Sequence, residues 1–158
     1  PPTRGFRLMR EAVLSLALRH DFARAFADPR QMQPYTYADS PLTQAGSPEA
    51  GPRLGSLAPD VRMADGTFLL DGPAGGFTLL TFSAGTVPPG LEADLKARDP
   101  LFRIIECNAA NEAASVYAAS AGSALLLRPD LHIAARFASL DAAGLLRALD
   151  NAMGKAAP

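Results

Sequence analysis

Few residues of this chain are of types that carry chemistry, and their spacing does not assemble them. There are two histidines, His20 and His132, and a single cysteine, Cys107. A zinc site needs three or four His, Cys or carboxylate ligands at matched spacing, and no HxxxH, HxH or CxxC occurs here. Both histidines therefore read as surface or edge residues. Cys107 closes an apolar stretch, where a thiol is more often a small buried hydrophobe than a nucleophile, and there is no second cysteine to resolve it. Ser123, His132 and Asp130 supply the residue types of a serine triad. His132 and Asp130 share one turn, however, which does not give the geometry of a base and its orienter, and GxSxG is missing. Glu92 and Asp94 read as a solvated helix face. The nearest approach to a dinucleotide fingerprint, Gly72-Pro73-Ala74-Gly75-Gly76, precedes a strand instead of following one, lacks the spacing and contains proline, so it reads as a turn. No catalytic, cofactor-binding or metal-ligating residue is assigned.

The elements that hold these residues are clearest around 123–137. Ala124 to Leu127 form a short apolar run suited to a strand buried on both faces. His132, Ala134 and Arg136 alternate with Ile133, Ala135 and Phe137, as on a half-exposed strand. Pro129 and Asp130 between them fit the two central positions of a type I turn, so the stretch predicts a β-hairpin. Arg128, Asp130, His132 and Arg136 are assigned to turn formation and surface contacts. Upstream, 76–82 and 102–107 read as buried strands, 91–98 and 111–119 as helices with Asn108 or Asn111 as candidate caps, and 141–153 as a closing amphipathic helix. The order strand, helix, strand, helix, hairpin, helix predicts an α/β fold, a thioredoxin-like mixed sheet flanked by helices.

Ahead of that domain, 5–27 predicts one amphipathic helix with Phe6, Met9, Val13, Phe22 and Phe26 on its apolar stripe and arginines opposite, stopped by Asp28-Pro29. Residues 29–55 read as a proline-rich arm whose Met32, Tyr35, Tyr37 and Leu42 favour contact with protein surface. The expected organisation is helix 1–28, arm 29–55 and domain 56–158. A net charge of −1 over 158 residues argues against a general nucleic-acid binder, and no apolar run approaches the roughly eighteen residues of a membrane span. A lone cysteine fits a reducing, cytoplasmic setting.

Five strings in order resemble one family: RGFRLMREAVLSLALR at the start, PYTYADSPL at 34–42, GSLAPDVRMADGT at 55–67, GGFTLLTF at 75–82 and LLLRPDLHIAAR at 125–136. They resemble the C-terminal end of class A FAD-dependent aromatic hydroxylases, the branch with phenol hydroxylases and 3-(3-hydroxyphenyl)propionate-type hydroxylases. The resemblance implies a thioredoxin-like domain without redox cysteines, and Ser83-Ala84-Gly85-Thr86 stands here where CxxC would lie. It implies a parent enzyme that uses FAD and NADPH or NADH to hydroxylate a phenolic ring, with the cofactors held by an N-terminal flavin domain absent from this chain. The chain itself is then catalytically incomplete and structural, docking on that flavin domain, with homo-oligomer formation through the N-terminal helix as a further expectation. One departure stands out: Leu131 occupies a position usually held by glycine, which predicts a shifted turn or a bulge. The alternatives are a stand-alone, redox-inactive thioredoxin-like binding module and a thiol enzyme working through Cys107 alone.

Overall fold

A computed structural model describes residues 3–27, 34–44, 50–62, 66–71, 75–83, 87–108 and 112–155. The chain divides into two units, Pro1–Pro34 and Tyr35–Pro158. The first contains α1 (Arg4–Ala17) and α2 (Asp21–Ala27). The single helix expected over 5–27 is broken. Arg19 and His20 both donate to the Leu16 carbonyl, closing α1, and the acidic Asp21 opens α2, where its charge complements the helix N-terminus. The small side chains of Ala17 and Ala23 are buried, whereas Phe6, Met9 and Phe22 stay exposed. The side chain of Phe26 lies outside the described residues.

The second unit is built on β1 (Thr78–Thr81), α3 (Leu91–Arg98), β2 (Arg103–Glu106), α4 (Glu112–Val116), β3 (Ala124–Leu127), β4 (Ile133–Phe137) and α5 (Ala142–Ala152). The sheet order is β2-β1-β3-β4, with β1 parallel to β2 and both hairpin strands antiparallel. This is the thioredoxin-like order expected from the sequence. Each face of the sheet carries its own core. Leu80, Phe82, Leu125, Leu127 and Ile133 pack with Leu54, Val61 and Tyr117 on one side. Leu79, Leu126, Ala135 and Phe137 pack with α3 and α5 through Leu91, Leu95, Leu145 and Leu149 on the other. Asp141 caps α5 by accepting from the Ala143 and Gly144 amides. Of the candidate caps of α4, Asn111 lies outside the described residues.

β4 departs from the predicted alternation. The register steps between Leu126 and Leu127, which oppose Ala135 and Ile133, so Ala134 is an extra residue. This bulge turns Ile133 to one core while Ala135 and Phe137 face the other. The strand is buried on both faces except at Arg136.

At the turn the expected bulge geometry is present, but with the leucine in the conformation it was expected to avoid. Leu131 donates to the Arg128 carbonyl and Arg128 to the His132 carbonyl, giving the Pro129-Asp130 turn in its ordinary register. Leu131 itself takes φ 65°, the left-handed conformation. The turn does not shift because the Leu131 carbonyl also accepts the Ala58 amide, fixing its orientation from outside the hairpin. A leucine there costs about 1–2 kcal/mol, opposed by the partial burial of its side chain. Leu131→Gly is expected to raise stability by about 1 kcal/mol in urea unfolding. A lower midpoint would mean that packing of the leucine outweighs the strain.

The second unit begins at Tyr35 because the segment preceding β1 is bonded along the outer edge of β4. Tyr37 donates to Gly55, Gly55 donates to Ile133, Ile133 donates to Ser56, and the Gln44 amide donates to the Ala134 bulge carbonyl. The Tyr35 and Tyr37 rings meet edge to face at 5.0 Å.

Candidate functional site

Of the residues with chemical potential only His132 and Asp130 come together, and the described side chains of the others have structural partners. Cys107 is buried in the core that contains Tyr117, and burial pushes its thiol above the usual range, the opposite of nucleophile activation. His132 sits under the N-terminal part of the second unit. One ring nitrogen lies 3.1 Å from the Asp130 carbonyl, the other 3.2 Å from the Tyr35 carbonyl, and Tyr37 packs on the ring at 4.9 Å. Its contacts are those of a fastener. His20 belongs to the other unit and stacks on Phe22.

The Ser-His-Asp set is not brought together. The Ser123 hydroxyl donates to the Ser120 carbonyl at 2.7 Å, at the entry to β3, whereas Asp130 follows the exit of the same strand. Against the sequence expectation the Asp130 carboxylate does meet His132, 3.3 Å from Nδ1, but Ser123 does not join the pair; Asp130 also accepts from Arg128 at 2.7 Å, and the Arg128 guanidinium lies over the Tyr37 ring at 5.8 Å. Glu92 pairs with Lys96 along α3 at 2.6 Å, an exposed i,i+4 contact of small energetic weight. Among the described residues no group of three or more His, Cys, Asp or Glu side chains is positioned for a metal ion.

Arg136 has a larger structural role than the sequence indicates. Its guanidinium donates to the Ala50 carbonyl at 3.1 Å and to the Tyr117 carbonyl, and its amide donates to the Gln44 side chain. Burial pulls the group below the usual arginine value. Partners so far away in sequence leave no local signal.

The described part of the glycine-rich stretch does not fit a pyrophosphate. A Cβ added at Gly76 would meet the Leu101 carbonyl carbon at 2.4 Å, so Gly76 is required for backbone packing ahead of β1. Ser83 is described, but 84–86, the rest of the CxxC-equivalent position, lie outside the described residues. A groove of about 680 Å³ lies beside β2, bounded by α3 and the residues leading into it. It holds charged side chains but no nucleophile next to a base.

The sequence profile of the aromatic-ring hydroxylase C-terminal family matches residues 51–156. The chain belongs to that family. This aromatic-ring hydroxylase C-terminal domain is also similar to solved structures of RebC, a rebeccamycin biosynthetic enzyme. The substrate-free form is 29% identical with a TM-score of 0.62, over 98% of this chain and 29% of that one. The form with reduced flavin is 28% identical with a TM-score of 0.53, over 74% of this chain and 22% of that one. Aklavinone-11 hydroxylase, solved with FAD and aklavinone, shares the fold at 20% identity and a TM-score of 0.60, over 80% of this chain and 27% of that one. The chain thus spans less than a third of these proteins. No curated protein matched. The family expected from the five strings is the family found, and the hydroxylase C-terminal domain carries its mixed sheet with flanking helices.

Proposed function

We propose that this chain is the C-terminal region of an FAD-dependent monooxygenase that hydroxylates a phenolic substrate, and that the region itself is structural. The family match across 51–156 carries the reading. The separated, structurally engaged chemical residues support the division of labour: FAD and NADPH or NADH belong to an N-terminal flavin domain of the parent. The exposed Phe6, Met9 and Phe22 support docking of α1 and α2 on that flavin domain. An N-terminal helical region 1–28, and an arm 29–55 whose described residues from Tyr35 onward share a unit with the domain 56–158, are part of the same proposal, as is a cytoplasmic location. Among the described residues no helix is long and apolar enough to cross a membrane.

The test is made on the parent chain encoded with its upstream sequence. It is expected to bind FAD, to oxidise NADPH or NADH in the presence of a phenol, and to yield a product heavier by one oxygen in mass spectrometry. Deleting the region corresponding to this chain is expected to lower the temperature at which flavin is released, not to change the flavin spectrum. A parent open reading frame without a flavin domain, or one that binds flavin but hydroxylates no aromatic compound, would refute the reading.

A further inference from the structure

A cleft of about 460 Å³ lies between α5 and the segment that runs along β4. Pro41 and Gln44 belong to one wall, Arg147, Ala148 and Asn151 to the other, and Phe137 lines it from the end of β4. The spacing of 147, 148 and 151 puts those three on one face of the helix. Both walls are held in place. The Asn151 side chain donates to the Pro41 carbonyl at 2.9 Å, and the Gln44 amide donates to the Ala134 carbonyl at 2.7 Å. A preformed cleft of this volume is of ordinary size for a small-molecule site.

The bonds that tie the walls also orient the polar groups left over. Gln44 accepts the Arg136 amide at 3.1 Å, which assigns that end of its side chain as oxygen. Its two Nε2 donors have no partner among the described residues. Asn151 is oriented in the same way by Pro41 and keeps Oδ1 as an acceptor. Arg147 is exposed, and its one ion pair among the described residues is a loose approach to Asp141 at 3.9 Å. That carboxylate is already engaged by the Ala143 and Gly144 amides. The guanidinium fork is left to meet a ligand.

We infer that this cleft binds a small aromatic monocarboxylate. The carboxylate meets the Arg147 fork and a Gln44 Nε2–H, and the ring lies against Phe137, Pro41 and Ala148. Charge sets the class of anion. One guanidinium at the rim of a cleft with apolar walls matches a single negative charge, and it does not offset a doubly charged phosphate. The apolar lining sets the rest of the molecule, because a flat ring covers Phe137 and Pro41 at little cost in conformational freedom. The inference stands apart from the proposed hydroxylase role and does not need it.

Titration of the isotope-labelled 158-residue chain with sodium benzoate at constant ionic strength, followed by heteronuclear NMR, tests it. Saturable shifts are expected at the side-chain amides of Gln44 and Asn151, with a Kd on the order of 1 mM. Benzamide, the neutral isostere, is expected to bind at least about tenfold more weakly. Arg147→Gln is expected to raise the benzoate Kd by at least about tenfold with an unchanged circular dichroism spectrum. Gln44→Glu keeps an acceptor for the Arg136 amide but sets an anion where the donors stand, and is expected to abolish saturable binding. Shifts that do not saturate overturn the inference. So do equal affinities for benzoate and benzamide, or an unchanged benzoate affinity in folded Arg147→Gln. Saturable shifts at Met9 and Leu14 in place of Gln44 and Asn151 put the site on α1 and overturn it as well. If Arg147→Gln fails to fold, Gln44→Glu decides, and undiminished benzoate binding there overturns the inference.

Discussion

Gly55→Ala is expected to destabilise the second unit by about 3–4 kcal/mol, combining left-handed backbone strain with overpacking. Gly55 takes φ 77°, and an added Cβ would meet the backbone of Tyr37. The obstruction is a peptide group, not the end of a side chain, so it cannot swing aside. Two hydrogen bonds pass through this residue: its carbonyl accepts the Tyr37 amide at 2.7 Å and its amide donates to Ile133 at 2.8 Å. Relieving the clash therefore loosens Tyr37 from the edge of β4. The loss reaches His132, whose ring contacts the Tyr35 carbonyl and the Tyr37 ring. Urea unfolding followed by circular dichroism measures the cost. Limited trypsinolysis locates it, since cleavage after the nearby Arg53 is expected to accelerate well before the sheet unfolds. Equal trypsin resistance in both proteins would show that Gly55 does not anchor this segment.

That anchoring explains what could and could not be read from the sequence. β1, β3, α3 and α5 were legible because their signals are local: continuous apolar runs for buried strands, and Leu145, Leu149 and Met153 at four-residue spacing for α5. The segment around Tyr37 and Gly55 has prolines and no periodicity. Its order comes from backbone bonds to a strand far along the chain, and backbone groups leave no compositional trace. The bulge at Ala134 was hidden for a related reason. Alternation in 132–137 is real in the sequence, yet an extra residue moves Ile133 to the opposite face without altering the pattern. The break between α1 and α2 lay within one amphipathic stretch, where burial of Ala17 and Ala23 is a tertiary preference. The candidate chemistry was readable mainly as scattered residues, and the structure supplies their partners.

Tyr117 gives the second large effect and separates packing from hydrogen bonding. Its side chain is fully buried, with the Phe82 ring 6.0 Å away and its hydroxyl donating to the Pro59 carbonyl at 2.6 Å. Its own carbonyl accepts from Arg136, so it links α4, β4 and the segment before β1. Tyr117→Ala removes a buried aromatic ring and is expected to cost about 3–5 kcal/mol. Tyr117→Phe keeps the ring but leaves the Pro59 carbonyl without its donor, for an expected cost of about 1–2 kcal/mol near neutral pH. Alkaline pH distinguishes the hydroxyl from the ring. Burial, followed by the nearby Asp60 and Cys107, pushes the phenol well above its ordinary value of 10.0. Above that value the unfolded chain releases the phenolic proton while the folded chain retains it, so wild-type stability falls as pH rises. Tyr117→Phe has no such proton. Its deficit relative to wild type is therefore expected to shrink in urea titrations above about pH 10, while the cost of the lost ring remains in Tyr117→Ala. A Tyr117→Phe deficit independent of pH would mean that the phenol ionises as readily in the folded protein as in the unfolded chain.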